Sequence, residues 1–427
     1  MLLLLWGIRT VDKTPKANRL HIALLGRTNV GKSSLLNLIL GQDIAITSPV
    51  AGTTTDVVEK AMELLPIGPV LFLDTAGLDD VSELSGKRLE KTEKVFDRAD
   101  VIILVGEADV WTDYEESVLA ETSQRGIPVL TVINKIDIKA PSPDYLNLLA
   151  QKAGRVVSVS CSDKTTRDRY LDDLKRHLLE MAPADFIATP SLISDLLPPG
   201  GTAVLVVPID LQAPKGRLIL PQVQTIRDIL DNDAQALVVK ERELAAALAN
   251  LKTPPSIVVT DSQAILKVTA DVPKEISLTT FSILFARQKG DLSMMAAGAA
   301  AIDSLRPGDR VLIAEACSHH ALEDDIGRVK IPRWLRQFVG GDLQIDTACG
   351  RDYPENLKDY KLIFHCGACM INRREMLTRL RKAAQAGIPV TNYGVAISFL
   401  QGVLKRSLAP FPAALASFEK AMKDKER

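Results

Sequence analysis

Short aliphatic runs recur through the first part of the chain, and stretches of helical spacing separate them. HIALL, VLFLD, VIILV, VLTVINK and VVSVS alternate between Leu20 and Met181 with segments such as Leu35 to Leu40 and Leu84 to Phe96. Apolar residues in these runs are continuous rather than alternating, as in strands covered on both faces. The pattern predicts a parallel sheet with helices on either side, a doubly wound α/β domain. Pro183, Pro190, Pro198, Pro199, Gly200 and Gly201 then crowd one segment, where neither helix nor strand runs on, so it reads as a linker. A second α/β set follows, with AVLVVPID, the helical stretch Gln224 to Leu230, ALVVK, Leu244 to Leu251 and SIVVT. At about 80 residues it is small for independent stability, and is expected to pair with a copy of itself or to dock on a neighbour. Strands at RVLIAEA, DLQI, KLIFH and PVTNY mark a third block from about Glu275. The expected division is an extension over 1–17, a large domain over 18–182, and two smaller α/β domains over 183–272 and 273–427.

A chain of 427 residues exceeds a single core, in keeping with that division. Lysine and arginine number 52 against 53 aspartates and glutamates, so no global basic field exists to hold nucleic acid or an anionic membrane, and neither is expected as a partner. The apolar start, Met1 to Ile8, has no charged leader and is too short to span a bilayer, which makes the cytoplasm the expected location. Five cysteines, at 161, 317, 349, 366 and 369, are odd in number and gather mostly in the last third; this is not a disulfide framework.

The segment GRTNVGKSS, Gly26 to Ser34, stands after the strand HIALL and before the helical LLNLIL. It fits G-x-x-x-x-G-K-S, in which backbone N–H groups around Gly26, Asn29, Val30 and Gly31 wrap phosphates, Lys32 neutralises β/γ oxygens, and Ser33, followed by Ser34, offers a hydroxyl to Mg²⁺. Asp74 in DTAG is placed for the Mg²⁺ shell and Gly77 for the γ-phosphate. In NKID, Asn134, Lys135 and Asp137 form a base-reading segment, Asp137 accepting from the N1–H and 2-amino groups that guanine has and adenine lacks. Ser160, Cys161 and Ser162 close VVSVS as a second base-contacting loop, with Cys161 beside the base rather than on a metal. The nucleotide is therefore expected to be GTP.

A different chemistry gathers in the third block. Cys317, Ser318, His319 and His320 follow RVLIAEA, and HCGAC, His365 to Cys369, follows KLIF. Both clusters end strands, so segments distant in sequence can meet at one rim of a sheet. Three thiols admit a structural zinc site with His319, His320 or His365 as fourth ligand, an iron–sulfur cluster with one non-cysteine position, or a redox pair that leaves Cys317 idle.

The first domain resembles the translation-factor-related GTPases, especially the tRNA-modifying (TrmE/Era-like) branch. AGTTTD, Ala51 to Asp56, is similar to that branch's first switch. The resemblance implies that Thr54, or else Thr53, completes the Mg²⁺ shell and that Asn29 helps hold a K⁺ ion. Leu78 stands where a water-orienting glutamine is found elsewhere, so slow hydrolysis is expected. Together with the small middle block, C-x-H and H-C-x-x-C, the chain beyond about Lys13 resembles the FeFe-hydrogenase maturation GTPase family (HydF). That resemblance implies a 4Fe-4S cluster on Cys317, Cys366 and Cys369, and a scaffold or carrier for the hydrogenase's di-iron subcluster. It also implies radical-SAM maturation enzymes and apo FeFe-hydrogenase as partners, and a middle domain that forms a homodimer. Asp324, in the acidic run Glu323 to Asp325, competes with His319 and His365 as fourth ligand. Cys349 reads as a buried thiol outside the motif, and Arg373 and Arg374 as the solvated start of a helix. Two other classes stay open: a tRNA- or ribosome-associated GTPase with structural zinc, and a GTP-dependent redox or metal sensor.

Overall fold

The computed structural model describes residues 14–40, 58–74, 93–163, 165–187, 190–208, 218–317, 325–350 and 353–426. The chain divides into two compact units, Met1–Thr189 and Pro190–Arg427.

In the first unit the expected aliphatic runs become β1 (Leu20–Leu25), β3 (Gly68–Asp74), β4 (Val101–Glu107), β5 (Val129–Asn134) and β6 (Val156–Ser158). All six residues of β1 are buried, His21 among five aliphatic residues, as a central strand covered on both faces requires. One strand departs from the all-parallel expectation. β2 (Val58–Leu64) runs antiparallel to β3 at the edge of the order β2-β3-β1-β4-β5-β6, whose remaining pairs are parallel. Its sequence VEKAMEL is largely exposed or half-buried, as an edge strand allows, and it therefore lacks the fully apolar signature of the others. β1, β3, β5 and β6 all stop at the same rim, where the loops carrying the phosphate and base motifs begin.

The second unit holds two four-stranded sheets, and every pair in them is parallel. The middle sheet has the order β10-β9-β7-β8, with β7 (Thr202–Val206), β8 (Gln235–Val239), β9 (Ile257–Thr260) and β10 (Ser277–Thr280). β10 lies beyond residue 273, yet it pairs with β9 and so belongs to the middle sheet. The last sheet has the order β12-β11-β13-β14, with β11 (Arg310–Glu315), β12 (Gln344–Cys349), β13 (Leu362–His365) and β14 (Val390–Asn392). A single apolar core runs through both sheets, from Ile193 and Val204 to Ile313, Phe364 and Phe418. The middle block thus solves its size problem by docking on its neighbour. Arg406 adds a polar tie, donating to the carbonyls of Pro273, Lys274 and Ile276.

Register in the last sheet sets where its strands end. Ala314 pairs with Ala348 of β12 and with His365 of β13, so β11, β12 and β13 stop level with one another. Among the described residues no helix is long and apolar enough to cross a bilayer.

Packing between the helix Leu292–Ala299 and β14 depends on Gly298, where a Cβ would stand 2.0 Å from the carbonyl oxygen of Val390. Gly298→Ala forces backbone apart in a filled core, and is expected to cost the second unit about 1–3 kcal/mol, read as a lower urea midpoint. An unchanged midpoint would show that this contact relaxes freely.

Candidate functional site

The phosphate loop is shaped by backbone crowding. Gly26 sits at φ +154° with the space of a Cβ occupied by Val105 O at 2.4 Å, and Gly31 sits at φ +97° with Asn134 Nδ2 at 2.1 Å from that position. A side chain at either glycine would displace the loop. Asn29, exposed, also adopts a left-handed φ of 64°, while Val30 is buried as the loop's anchor. The helix Lys32–Leu40 begins at once, so its N-terminal N–H groups and positive dipole end face the loop, with Ser33 and Ser34 exposed in its first turn. Buried Lys32 donates from Nζ to Gly26 O at 2.8 Å and Arg27 O at 3.0 Å, which directs its charge across the loop.

Asn134 ties three motif segments together. Its Nδ2 donates to Val30 O at 2.9 Å, and its Oδ1 accepts from Cys161 N at 3.3 Å. Next to it Lys135 has φ 62° and reaches Glu107 at 2.5 Å. Asp137 is exposed and accepts from Ser160 Oγ at 2.6 Å and Ser162 Oγ at 2.8 Å; these bonds hold its carboxyl below the usual carboxylate range. The aspartate is thus ionised, as the bidentate acceptor for guanine expected from the sequence would be. Burial pushes the Cys161 thiol up to about 12, so it stays neutral in the loop. Asp74 is buried at the end of β3. Thr53, Thr54, Gly77 and Leu78 lie outside the described residues.

A buttress behind the phosphate loop escaped the reading of motifs. Glu115, fully buried, accepts from Arg27 Nε at 2.7 Å and from Thr112 N at 2.9 Å, and Gly26 N donates to Tyr114 Oη at 3.2 Å. Its signal was present in TDYE, a capping box that opens the helix Asp113–Arg125.

At the rim of the last sheet, Cys366 N donates to Ala314 O at 2.9 Å and so adds a final rung to the β11–β13 ladder. The Cys366 sulfur then accepts from Ala316 N at 3.1 Å and Ala368 N at 3.5 Å. The turn through Gly367 and Ala368 places its left-handed residue at Ala368, φ 58°, and not at the glycine. Burial, and then the charges of Cys366 and Cys369, push the Cys317 thiol up to about 12. Burial, and then Cys366, push Cys369 up to about 12. Cys366 is also raised by burial, against the two backbone N–H bonds. All three thiols are thus raised by burial. Among the described residues, no group of three or more His, Cys, Asp or Glu side chains is placed to hold a metal ion.

His365 is buried, and its Nδ1 lies 3.0 Å from Cys366 O, an atom that can only accept. Nδ1 therefore carries the proton, and Nε2 accepts from Arg379 Nη1 at 3.3 Å. Burial and then Arg379 hold this imidazole down to about 3, so it is neutral. Cys349 is not the sequestered thiol expected: it is half-buried at the end of β12, accepts from Arg328 Nη2 at 2.8 Å, and lies 3.6 Å from Glu315 Oε2. Burial raises its pKa against the pull of Arg328. Arg373 is not solvated either, since its Nη1 donates to Gln288 O at 2.5 Å and Gly290 O at 3.3 Å. His319, His320, Glu323 and Asp324 lie outside the described residues.

If Asp137 reads guanine as the sequence predicts, Asp137→Asn removes one of two acceptors for the base and supplies a donor instead. GDP affinity is expected to fall roughly a hundredfold or more, with a gain for xanthosine nucleotides, whose C2 carries a carbonyl; titration of a fluorescent nucleotide reads both. Because the folded pKa of Asp137 is depressed, its ionised form is present above the ordinary carboxylate pKa and lost only as pH falls through the lowered value. Its share of GDP binding is expected to hold between about pH 7 and 5.

Family models match most of the chain. Residues 21–135 match the 50S ribosome-binding GTPase, 192–290 the hydrogen maturase F dimerization domain, and 293–410 the hydrogen maturase F tetramerization domain. Curated relatives match the first unit. The tRNA modification GTPase MnmE of Synechococcus sp. is 43% identical over 143 residues, 33% of this chain and 30% of the relative. MnmE of Chromobacterium violaceum is 33% identical over 193 residues, 39% of this chain and 42% of the relative. GTPase Der of Wolinella succinogenes is 34% identical over 137 residues, 31% of this chain and 28% of the relative. The chain spans less than half the length of each of these relatives. The first unit is a GTPase domain, and that match supports binding of GTP with Mg²⁺ and its hydrolysis. With both maturase models lying in the second unit and the GTPase model in the first, the chain belongs to the hydrogen maturase F (HydF) family and carries a TrmE/Era-like GTPase domain.

Proposed function

We propose that this protein is a GTP-hydrolysing scaffold or carrier that assembles or delivers the di-iron subcluster to apo FeFe-hydrogenase. In this reading it holds a 4Fe-4S cluster on Cys317, Cys366 and Cys369. The observation that supports it is that Cys317 follows β11 closely and Cys366 and Cys369 follow its parallel neighbour β13, with two backbone N–H groups turned onto the Cys366 sulfur. Sulfur atoms so supplied with N–H donors suit an anionic cluster, and three thiolates leave one iron with a non-cysteine ligand. When bound, such a cluster supplies an iron with an exchangeable position. His365 falls out of the ligand set in this reading, because both ring nitrogens are engaged; Asp324 and His319 stand as the candidates.

The GTP site would use Lys32 against β/γ oxygens, Ser33, Thr54 and Asp74 around Mg²⁺, Gly77 at the γ-phosphate and Asn29 beside K⁺. Hydrolysis would modulate exchange of partners, among them the radical-SAM maturation enzymes, in the cytoplasm. Matches to dimerization and tetramerization domains support self-association. For a homodimer, exposed Val223 and Leu230 on the helix Leu220–Asp231 and Val238 on the edge strand β8 offer apolar surface.

Reconstitution without oxygen tests the reading through iron and sulfide content and the EPR spectrum of the reduced protein. About four irons per chain are expected, and Cys366→Ala should lose them. Stoichiometric zinc with no iron signal would contradict the carrier function and favour a GTPase with a structural metal.

A further inference from the structure

Behind the cysteine rim lies a buried ion pair that the motifs do not include. Arg379 and Glu375, 5% and 8% exposed, face each other on the helix Arg373–Ala386 at 2.8 Å. The Arg379 guanidinium is fully committed in direction. Nη1 faces His365 Nε2, Nη2 donates to Gly350 O at 2.6 Å and to Glu375, and the plane lies over the Tyr353 ring at 5.2 Å. One side chain thus joins the residue after Cys349 to the residue before Cys366. Glu375 bonds the nitrogen turned to Gly350, while the other nitrogen faces His365, whose Nδ1–H donates to the Cys366 carbonyl. The positive end of the pair is the end presented to Cys366.

Other charges bear on the thiols from the remaining sides. Glu315, itself held by Arg328 at 3.2 Å and by Tyr393 Oη at 3.4 Å, acts on Cys317 and Cys366. Lys289 acts on Cys369. Like Glu315 and Lys289, Arg379 is buried, so solvent screens it little, and it differs from them in its hydrogen-bonded connection through His365 to the Cys366 carbonyl.

We propose that Arg379 is a positioning residue that sets the reduction potential of the cysteine-bound centre, through its fixed charge and through the His365 orientation it enforces, with Glu375 as its counterweight. The inference rests on the cluster reading above. Reduction adds negative charge to a thiolate-held cluster, so a buried cation favours the reduced form and a buried anion opposes it.

The test is the midpoint potential of the reconstituted cluster, by redox titration followed by EPR, in the full chain and in Arg379→Gln, Arg379→Lys and Glu375→Gln. Arg379→Gln is expected to shift the potential down and Glu375→Gln to shift it up. Arg379→Lys, which keeps the charge, should fall between Arg379→Gln and the parent chain. Opposite signs at the two positions, with iron content retained, would establish the inference; a purely structural role would lower iron content or move both variants the same way, and either result overturns it. A parent chain with four irons whose potential neither charge-removing variant moves would overturn this inference alone. A parent chain that binds no iron would overturn the cluster reading as well.

Discussion

Level termination of parallel strands is the constraint on which the second unit's site depends. β11 and β13 are paired so that Ala314 stands beside His365, and the ladder's last rung, Cys366 N to Ala314 O, is made by the cysteine itself. With that N–H used, Ala316 N is the next free donor, and it turns onto the Cys366 sulfur. A slip of one residue would reverse the faces of every side chain in the strand and break the arrangement. The first unit uses the same rule with different chemistry: β1, β5 and β6 end together, and Asn134 fastens the phosphate loop to the base loop across them.

The two rims handle charge in opposite ways. Around the phosphates, positive charge is already assembled in Lys32 and the helix N-terminus, so an anion completes it. Around the cysteines, burial and mutual repulsion keep Cys317 and Cys369 protonated in the metal-free chain. In the proposed cluster reading, loading a metal there would release protons, and binding would be coupled to the ionisation of the thiols. Arg379 tempers that repulsion from beneath without reaching the surface.

Much of this was legible in the sequence, where chemistry and local pattern coincide. The continuous aliphatic strands, the phosphate loop, NKID and the two cysteine segments all follow from residue types at fixed spacing. β2 and β10 were missed, because VEKAMEL is a mostly polar edge strand and SLTT is short and rich in hydroxyls. The buttress of Arg27 on Glu115 spans 88 positions, and the contact of Arg328 with Cys349 spans 21; no local periodicity announces either. Arg379 reads as an ordinary i, i+4 partner of Glu375 on a charged helix. Only the fold turns that face inward, where the same two residues become a buried dipole beside the thiols.

The Mössbauer spectrum of the chain reconstituted with ⁵⁷Fe, in the absence of oxygen, tests the central claim most directly. Three cysteine ligands at one rim predict a 4Fe-4S signal in which one iron site is distinguishable from the other three. A spectrum of isolated tetrathiolate iron, or of four equivalent sites, would contradict a cluster held by Cys317, Cys366 and Cys369 alone.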